Sequence, residues 1–184
     1  MSCKIDKETQ IRIEDSLNSM FDSIDFEPST APINVLEIAQ KLGFVVGNAT
    51  LTNDDDGFII VDEGKVEILG INADKVIGVN ANRQAEWKRF IIAHEIGHYI
   101  LDFKDKNLKG LYANRYHERG HSVEENEIDF FAANLLMPRK IFTDTYNELS
   151  GTTLENNVIV QMLADYFNVT KLMVTRRIDE LELA

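Results

Sequence analysis

Two copies of one five-residue pattern, His-Glu-x-x-His, use up every histidine of this chain: His94-Glu95-Ile96-Gly97-His98 and His117-Glu118-Arg119-Gly120-His121. The pattern makes a structural demand before it makes a chemical one. Its two imidazoles address one point only if the five residues are helical, because about 100° per residue brings positions four apart to within about 40° of each other. Two imidazoles leave a zinc ion short of protein ligands, so a second segment must fold back to supply a third while one position stays open. The Glu between the histidines lies in the same arc and can take a proton from an attacking water. That combination points to hydrolysis of a peptide or amide.

Context separates the two copies. The first continues a stripe of Trp87, Ile91, His94 and His98 in steps of four, three and four, with Asn82 placed to cap the helix. Phe90, Ile92, Ile96, Ile100 and Leu101 surround it with apolar side chains, a setting that favours metal binding and a basic Glu95. Gly97 leaves one side of the helix bare for close approach of another segment. The second copy sits in Asn114-Arg115-Tyr116-His117-Glu118-Arg119-Gly120-His121-Ser122, which has no apolar stripe. It reads as an exposed loop. His117 and His121 are then either solvated loop histidines or residues that approach a substrate from the rim of the cleft.

The acidic run after Ser122 supplies the missing ligand. In Glu124-Glu125-Asn126-Glu127-Ile128-Asp129, followed by Phe130 to Leu136, positions 125, 128, 129, 132, 135 and 136 share one helical face. Glu125 is placed as the third metal ligand. Asp129, four residues on, is placed to receive a proton from the far nitrogen of His94 or His98. Glu127 points elsewhere. The 27 positions between His98 and Glu125 leave room for a turn and an antiparallel return. The alternative is a solvated first turn in which these acids only complement the helix dipole.

The remaining sequence predicts an α+β fold, mainly helical, with a small, largely antiparallel sheet. Ile13, Leu17, Met20, Phe21 and Ile24 recur at helical spacing until Pro28-Ser29-Thr30-Ala31-Pro32 breaks the pattern. Val35, Leu36, Ile38, Ala39 and Leu42 predict a short second helix closed by Gly43. Between Phe44 and Asn80, the runs Phe58–Val61, Val66–Ile71 and Val76–Val79 read as strands separated by Asp, Asn and Gly. Asp54-Asp55-Asp56-Gly57 lacks the ligand spacing of a calcium loop and reads as a solvated turn. Residues 1–140 are expected to carry the hydrolase and residues 141–184 a helical segment packed on it.

Charge and cysteine usage narrow the partners. Nineteen basic against thirty-one acidic residues give a net charge of -12, which repels nucleic-acid phosphates and anionic lipid and makes direct DNA binding a poor expectation. Cys3 is the single cysteine, so any metal site is built from His and carboxylate, with zinc first and manganese or another divalent ion as alternatives. The start Met1-Ser2-Cys3-Lys4-Ile5-Asp6-Lys7-Glu8 has no apolar stretch of the signal-peptide kind, and no window is long and apolar enough for a bilayer. A soluble cytoplasmic protein is expected.

His94-Glu95-Ile96-Gly97-His98 followed by Glu125-x-x-x-Asp129-x-Phe131-Ala132-Ala133-x-Leu135-Leu136-Met137-Pro138 resembles the ImmA/IrrE family of metallopeptidases. The likeness extends through Val76–Asn80 and Arg89–Ala93, and more weakly to Ile33–Phe44. It departs at Ile128, where the family usually has alanine, and at Asn134, where it often has glutamate. The resemblance implies a cytoplasmic bacterial or phage endopeptidase with a thermolysin-like zinc site, with His94, His98 and Glu125 as ligands and Glu95 as general base. It also implies a protein substrate, a partner transcriptional repressor of helix-turn-helix type, whose cleavage releases mobile-element or stress-response genes. The strand at Val76–Asn80, including Gly78, is a candidate edge for an extended substrate.

The C-terminal stretch Val158–Leu183 places Ala164, Asn168 and Val174 at the small, turn and apolar positions of a helix-turn-helix. Lys171, Arg176 and Arg177 are set against Asp165, Asp179, Glu180 and Glu182, which leaves no phosphate-binding footprint. Packing or partner recognition is the favoured use. The competing function is a non-catalytic regulatory protein of the same fold that binds a repressor or DNA, in which Glu95 would have no task.

Overall fold

The computed structural model describes residues 5–52, 55–68, 71–103, 110–114 and 123–183. Helix α1 (Lys7–Ser23) begins at Asp6, whose carboxylate accepts the Thr9 amide at 2.9 Å, and buries Ile13, Leu17, Met20 and Phe21. Helix α2 (Val35–Lys41) is capped by Asn34, and Gly43 behind it adopts φ +87°, a left-handed conformation that suits glycine.

Four strands follow the order β1-β3-β2-β4: β1 (Val45–Ala49), β2 (Gly57–Ile68), β3 (Ile71–Asn80) and β4 (Gly110–Asn114). Only the β1–β3 pair is parallel, so the sheet is mixed and largely antiparallel. The runs Phe58–Val61 and Val66–Ile68 belong to one strand with a register shift between Val61 and Val66, and Ile71 opens the next. Strand β4 has no counterpart in the sequence reading, for Gly110 to Asn114 is short and adjoins a segment read as loop.

Helix α3 (Ala85–His98) lies across the sheet and runs without a break into a π-helical turn, Tyr99–Phe103. Asn82 does not cap it. Gln84 occupies the cap position without a side-chain bond, and Asn82 turns back, its amide donating to Asn80 Oδ1 at 3.0 Å. All nine residues from Phe90 to His98 are buried, so the helix is enclosed on every side and not along one stripe. Two glycines permit this. A Cβ on Gly57 would sit 2.4 Å from Ile91 Cγ2 and 2.9 Å from the Gly78 carbonyl, and one on Gly97 would sit 3.1 Å from both Ile128 Cγ2 and Phe131 Cδ1. The first lets the sheet approach α3 from below, and the second lets helix α4 (Val123–Leu136) approach from the side.

Helix α4 is itself wedged between α3 and α1, and so buries Asn126, Phe130 and Asn134 as well as Ile128, Ala132, Leu135 and Leu136 of the face that the sequence predicts, while Glu125 and Asp129 of that face are half-buried. Glu127 points away from α3 and pairs with Arg12 of α1. Helices α5 (Arg139–Ser150), α6 (Asn156–Phe167) and α7 (Lys171–Glu180) complete the chain. Between α6 and α7, Asn168 adopts φ 52°, while Ala164 and Val174 are buried, the arrangement of a helix-turn-helix. Phe142, Leu163, Phe167 and Val174 join the same buried cluster as Phe131 and Ile96. Arg177, fully buried, reaches from α7 to Asn134 Oδ1 of α4 at 2.5 Å and to the Met137 carbonyl at 3.2 Å. Arg89 of α3 donates to the carbonyls of Asn168 at 3.1 Å and Ile33 at 2.8 Å. Among the described residues no helix is long and apolar enough to cross a membrane.

Candidate metal centre

Helix α3 delivers His94 and His98 to one point because they lie one turn apart on it, and α4 delivers Glu125 from the opposite side across the Gly97 contact. The two Nε2 atoms face each other at 3.1 Å. Glu125 Oε2 stands 3.3 Å from His94 Nε2 and 3.8 Å from His98 Nε2. One ligand atom from each residue can thus be chosen so that all three lie within 4.8 Å of one another, a group able to hold a metal ion.

The far ring nitrogens are also engaged. His94 Nδ1 lies 3.0 Å from Asp129 Oδ1, and His98 Nδ1 lies 2.9 Å from Asp102 Oδ2 in the π turn. An ionised carboxylate only accepts hydrogen bonds, so each Nδ1 donates its proton, and each ring in its neutral form then presents an Nε2 lone pair. Two lone pairs at 3.1 Å repel unless a cation lies between or beside them. The donor set, two imidazoles and one carboxylate, is that of a hydrolytic zinc site, so these residues fit a divalent ion. Asp129 was expected in this role on sequence grounds. Asp102 was not, although its i+4 spacing from His98 was visible.

The field at the site has the same sign. Burial alone would pull the His94 pKa down, but hydrogen bonds to the Asp129 and Glu125 carboxylates, with Glu95 nearby, outweigh it and raise the value to about 10. The negative potential that favours a proton there equally favours a dication. Glu95 is only 1% exposed, and neither of its carboxylate oxygens has a hydrogen-bond partner among the described residues. Desolvation is the main cause of its raised pKa, about 7, with Glu125 adding to the rise and the two histidines opposing it. A carboxylate poised near neutrality suits proton transfer at neutral pH.

The remaining expectations fare differently. Val76, Gly78 and Asn80 lie in β3, which is paired with β1 on one side and β2 on the other, so that strand offers no free edge. Asn80 is buried and pins the preceding loop, donating to the carbonyls of Thr52 at 3.0 Å and Asp55 at 2.7 Å and accepting from the Asn82 amide. Its amide is used for architecture. Asp56 departs from the solvated-turn reading: it is 2% exposed, pairs with Arg83 and accepts from Trp87 Nε1 at 3.1 Å. Trp87 stacks on Phe90 with centroids 5.2 Å apart, and Phe90 in turn lies 6.1 Å from the His94 ring. His117 and His121 lie outside the described residues.

Comparison with known proteins gives a family and a likeness of fold. The peptidase family described as the IrrE N-terminal-like domain matches residues 39–179. No curated protein matches the chain. A Mycobacterium tuberculosis transcriptional regulator of known structure is similar in fold, with a TM-score of 0.54 at 14% identity over 94% of this chain. The chain spans 47% of that regulator's length.

Proposed function

Since the chain belongs to the IrrE N-terminal-like domain family of peptidases, we propose that it is a zinc-dependent endopeptidase that cleaves a transcriptional repressor of helix-turn-helix type. The observation that carries this reading is the meeting of His94, His98 and Glu125 beside a buried Glu95 whose carboxylate has no hydrogen-bond partner among the described residues. A buried carboxylate without partners costs stability, and a protein that only binds would gain nothing from keeping one.

His94, His98 and Glu125 would hold the ion. Zinc there supplies Lewis acidity to the scissile carbonyl and lowers the pKa of the attacking water. Glu95 accepts the proton of that water and passes it to the leaving amine, a cycle that a group poised near neutrality can complete in both directions. Asp129 keeps the His94 ring turned with Nε2 toward His98 and Glu125, as a metal ligand there would need. Among the described residues β4 pairs on one side only, with β2, and its last residue Asn114 lies opposite Gly57. A Cβ on Gly57 would be 3.4 Å from Glu95 Oε1, so this end of the sheet adjoins the base. An extended peptide added to β4 would run past it, held by main-chain hydrogen bonds, a role that replaces the one expected of Val76–Asn80.

Co-expression with a helix-turn-helix repressor encoded beside the gene tests the reading. The parent protein is expected to cut the repressor and Glu95→Gln to leave it whole while still retaining zinc. Equal cleavage by both would remove Glu95 from the mechanism.

A further inference from the structure

We propose that Asp102 is the positioning residue for His98, so that each imidazole of the pair is set by a carboxylate of its own, Asp129 for His94 and Asp102 for His98. This rests on the reading of the centre as a metal site. The two couples come from different elements. Asp129 reaches across from α4, whereas Asp102 reaches back along the continuation of α3 itself, from the π turn that follows His98. Turns of this kind recur at functional sites, where the widened backbone re-aims side chains. The turn is anchored at its first residue: Tyr99 packs edge-on against Phe44 at 5.0 Å, and its hydroxyl accepts from Lys75 Nζ at 2.6 Å.

The consequence follows from tautomer chemistry. With Asp102 Oδ2 at 2.9 Å, His98 keeps its proton on Nδ1 and presents the Nε2 lone pair to the point shared with His94. Without Asp102, the ring can exchange tautomers or rotate, and part of its population offers an N–H where a ligand is needed. The Asp102 side chain is 35% exposed but the His98 ring only 2%, so removing Asp102 leaves a buried ring N–H without this acceptor and costs some stability. Its larger effect belongs to metal affinity. Partners of this type typically alter metal affinity by about 10- to 100-fold.

The test uses zinc ion alone with the full chain. Zinc dissociation constants are measured by chelator competition for the parent, Asp102→Ala, Asp102→Asn, His98→Ala and Glu125→Ala, with melting in excess chelator measured alongside. Asp102→Ala is expected to bind zinc about 10- to 100-fold more weakly while still melting cooperatively in excess chelator, somewhat below the parent. Asp102→Asn, which keeps an oxygen acceptor, is expected to recover part of the loss. In the zinc form, ¹⁵N-edited NMR should show the His98 Nδ1 proton protected from exchange in the parent and lost in Asp102→Ala. If His98→Ala and Glu125→Ala abolish binding but Asp102→Ala stays within twofold of the parent, the assignment of Asp102 is wrong and the metal site stands. If those two variants bind as the parent does, the metal site itself is wrong and this inference falls with it.

Discussion

Glu95 shows how a single residue carries the conflict between stability and chemistry. Its neutral form is favoured by burial, so its pKa rises from 4.5 to about 7 in the folded protein. For an acid whose folded pKa is raised, the penalty is absent below the unfolded value, grows as pH rises from 4.5, and is complete above about 7. In metal-free protein, Glu95→Gln is therefore expected to stabilise at pH 8, by something on the order of 1–3 kcal/mol, and to be nearly neutral at pH 4. Urea unfolding in chelator at the two pH values checks this, and equal effects at both would show that the carboxylate is not penalised by burial. At this scale the placement of His94 with His98, and of Glu125 with Asp129, is legible in the sequence, because each pair is four residues apart and shares one direction on its own helix. Asp102 is not legible in the same way, because an Asp four residues past His98 equally suits a solvated helix face, and the π turn that carries it leaves no mark in the sequence. Asp56 was misread because its partners, Arg83 and Trp87, stand 27 and 31 positions away, and an Asp-rich triplet gives no sign of them.

At the scale of elements, the centre depends on how closely three of them approach. The sheet meets α3 at Gly57, and α4 meets it at Gly97. Of the two, Gly57 has less room, since the obstructing atoms include the Gly78 carbonyl, which cannot swing aside. Gly57→Ala is expected to destabilise the protein by about 1–3 kcal/mol and to weaken zinc binding by displacing α3, measured by urea denaturation and chelator competition. Parent-like values in both would mean that the approach is not tight. Gly97→Ala is a milder case, since the gain of about 1 kcal/mol in helix propensity offsets contacts that can yield by a few tenths of an ångström. Helices were more legible than strands here. Apolar residues recur over several turns in α1, α3 and α4, whereas β4 is five residues with no alternation to mark it, and β3 reads the same whether it lies at an edge or inside the sheet. Topology decides that, and pairing partners are a long-range property.

In the whole molecule, the C-terminal helices are tied to both helices of the centre. Arg89 links α3 to the turn at Asn168, and Arg177 links α7 to the end of α4. Arg177 thereby spends its charge inside the protein. Its pKa is lowered by burial, and its partners are Asn134, the Met137 carbonyl and Glu180 at 3.2 Å, with the Phe130 ring 5.8 Å away. The two cations left exposed on α7, Lys171 and Arg176, are accompanied by exposed Asp179 on a chain of net charge -12, a poor balance for phosphate contacts. Arg177→Ala would strand buried acceptors on α4 and is expected to cost about 3 kcal/mol, read as a fall in denaturation midpoint. A loss below about 0.5 kcal/mol would mean that this tie does not hold the C-terminal helices in place. The mainly helical α+β class was readable from the order of periodicities, but the ties were not, because 43 positions separate Asn134 from Arg177.

The central claim is that one divalent ion sits where α3 and α4 meet. Anomalous diffraction at the zinc edge, from crystals grown with equimolar zinc, tests it most directly. The account predicts one strong peak per chain, at about 2.0–2.2 Å from Nε2 of His94, Nε2 of His98 and a carboxylate oxygen of Glu125. A peak only at surface acids, or none between the two imidazoles, would contradict it.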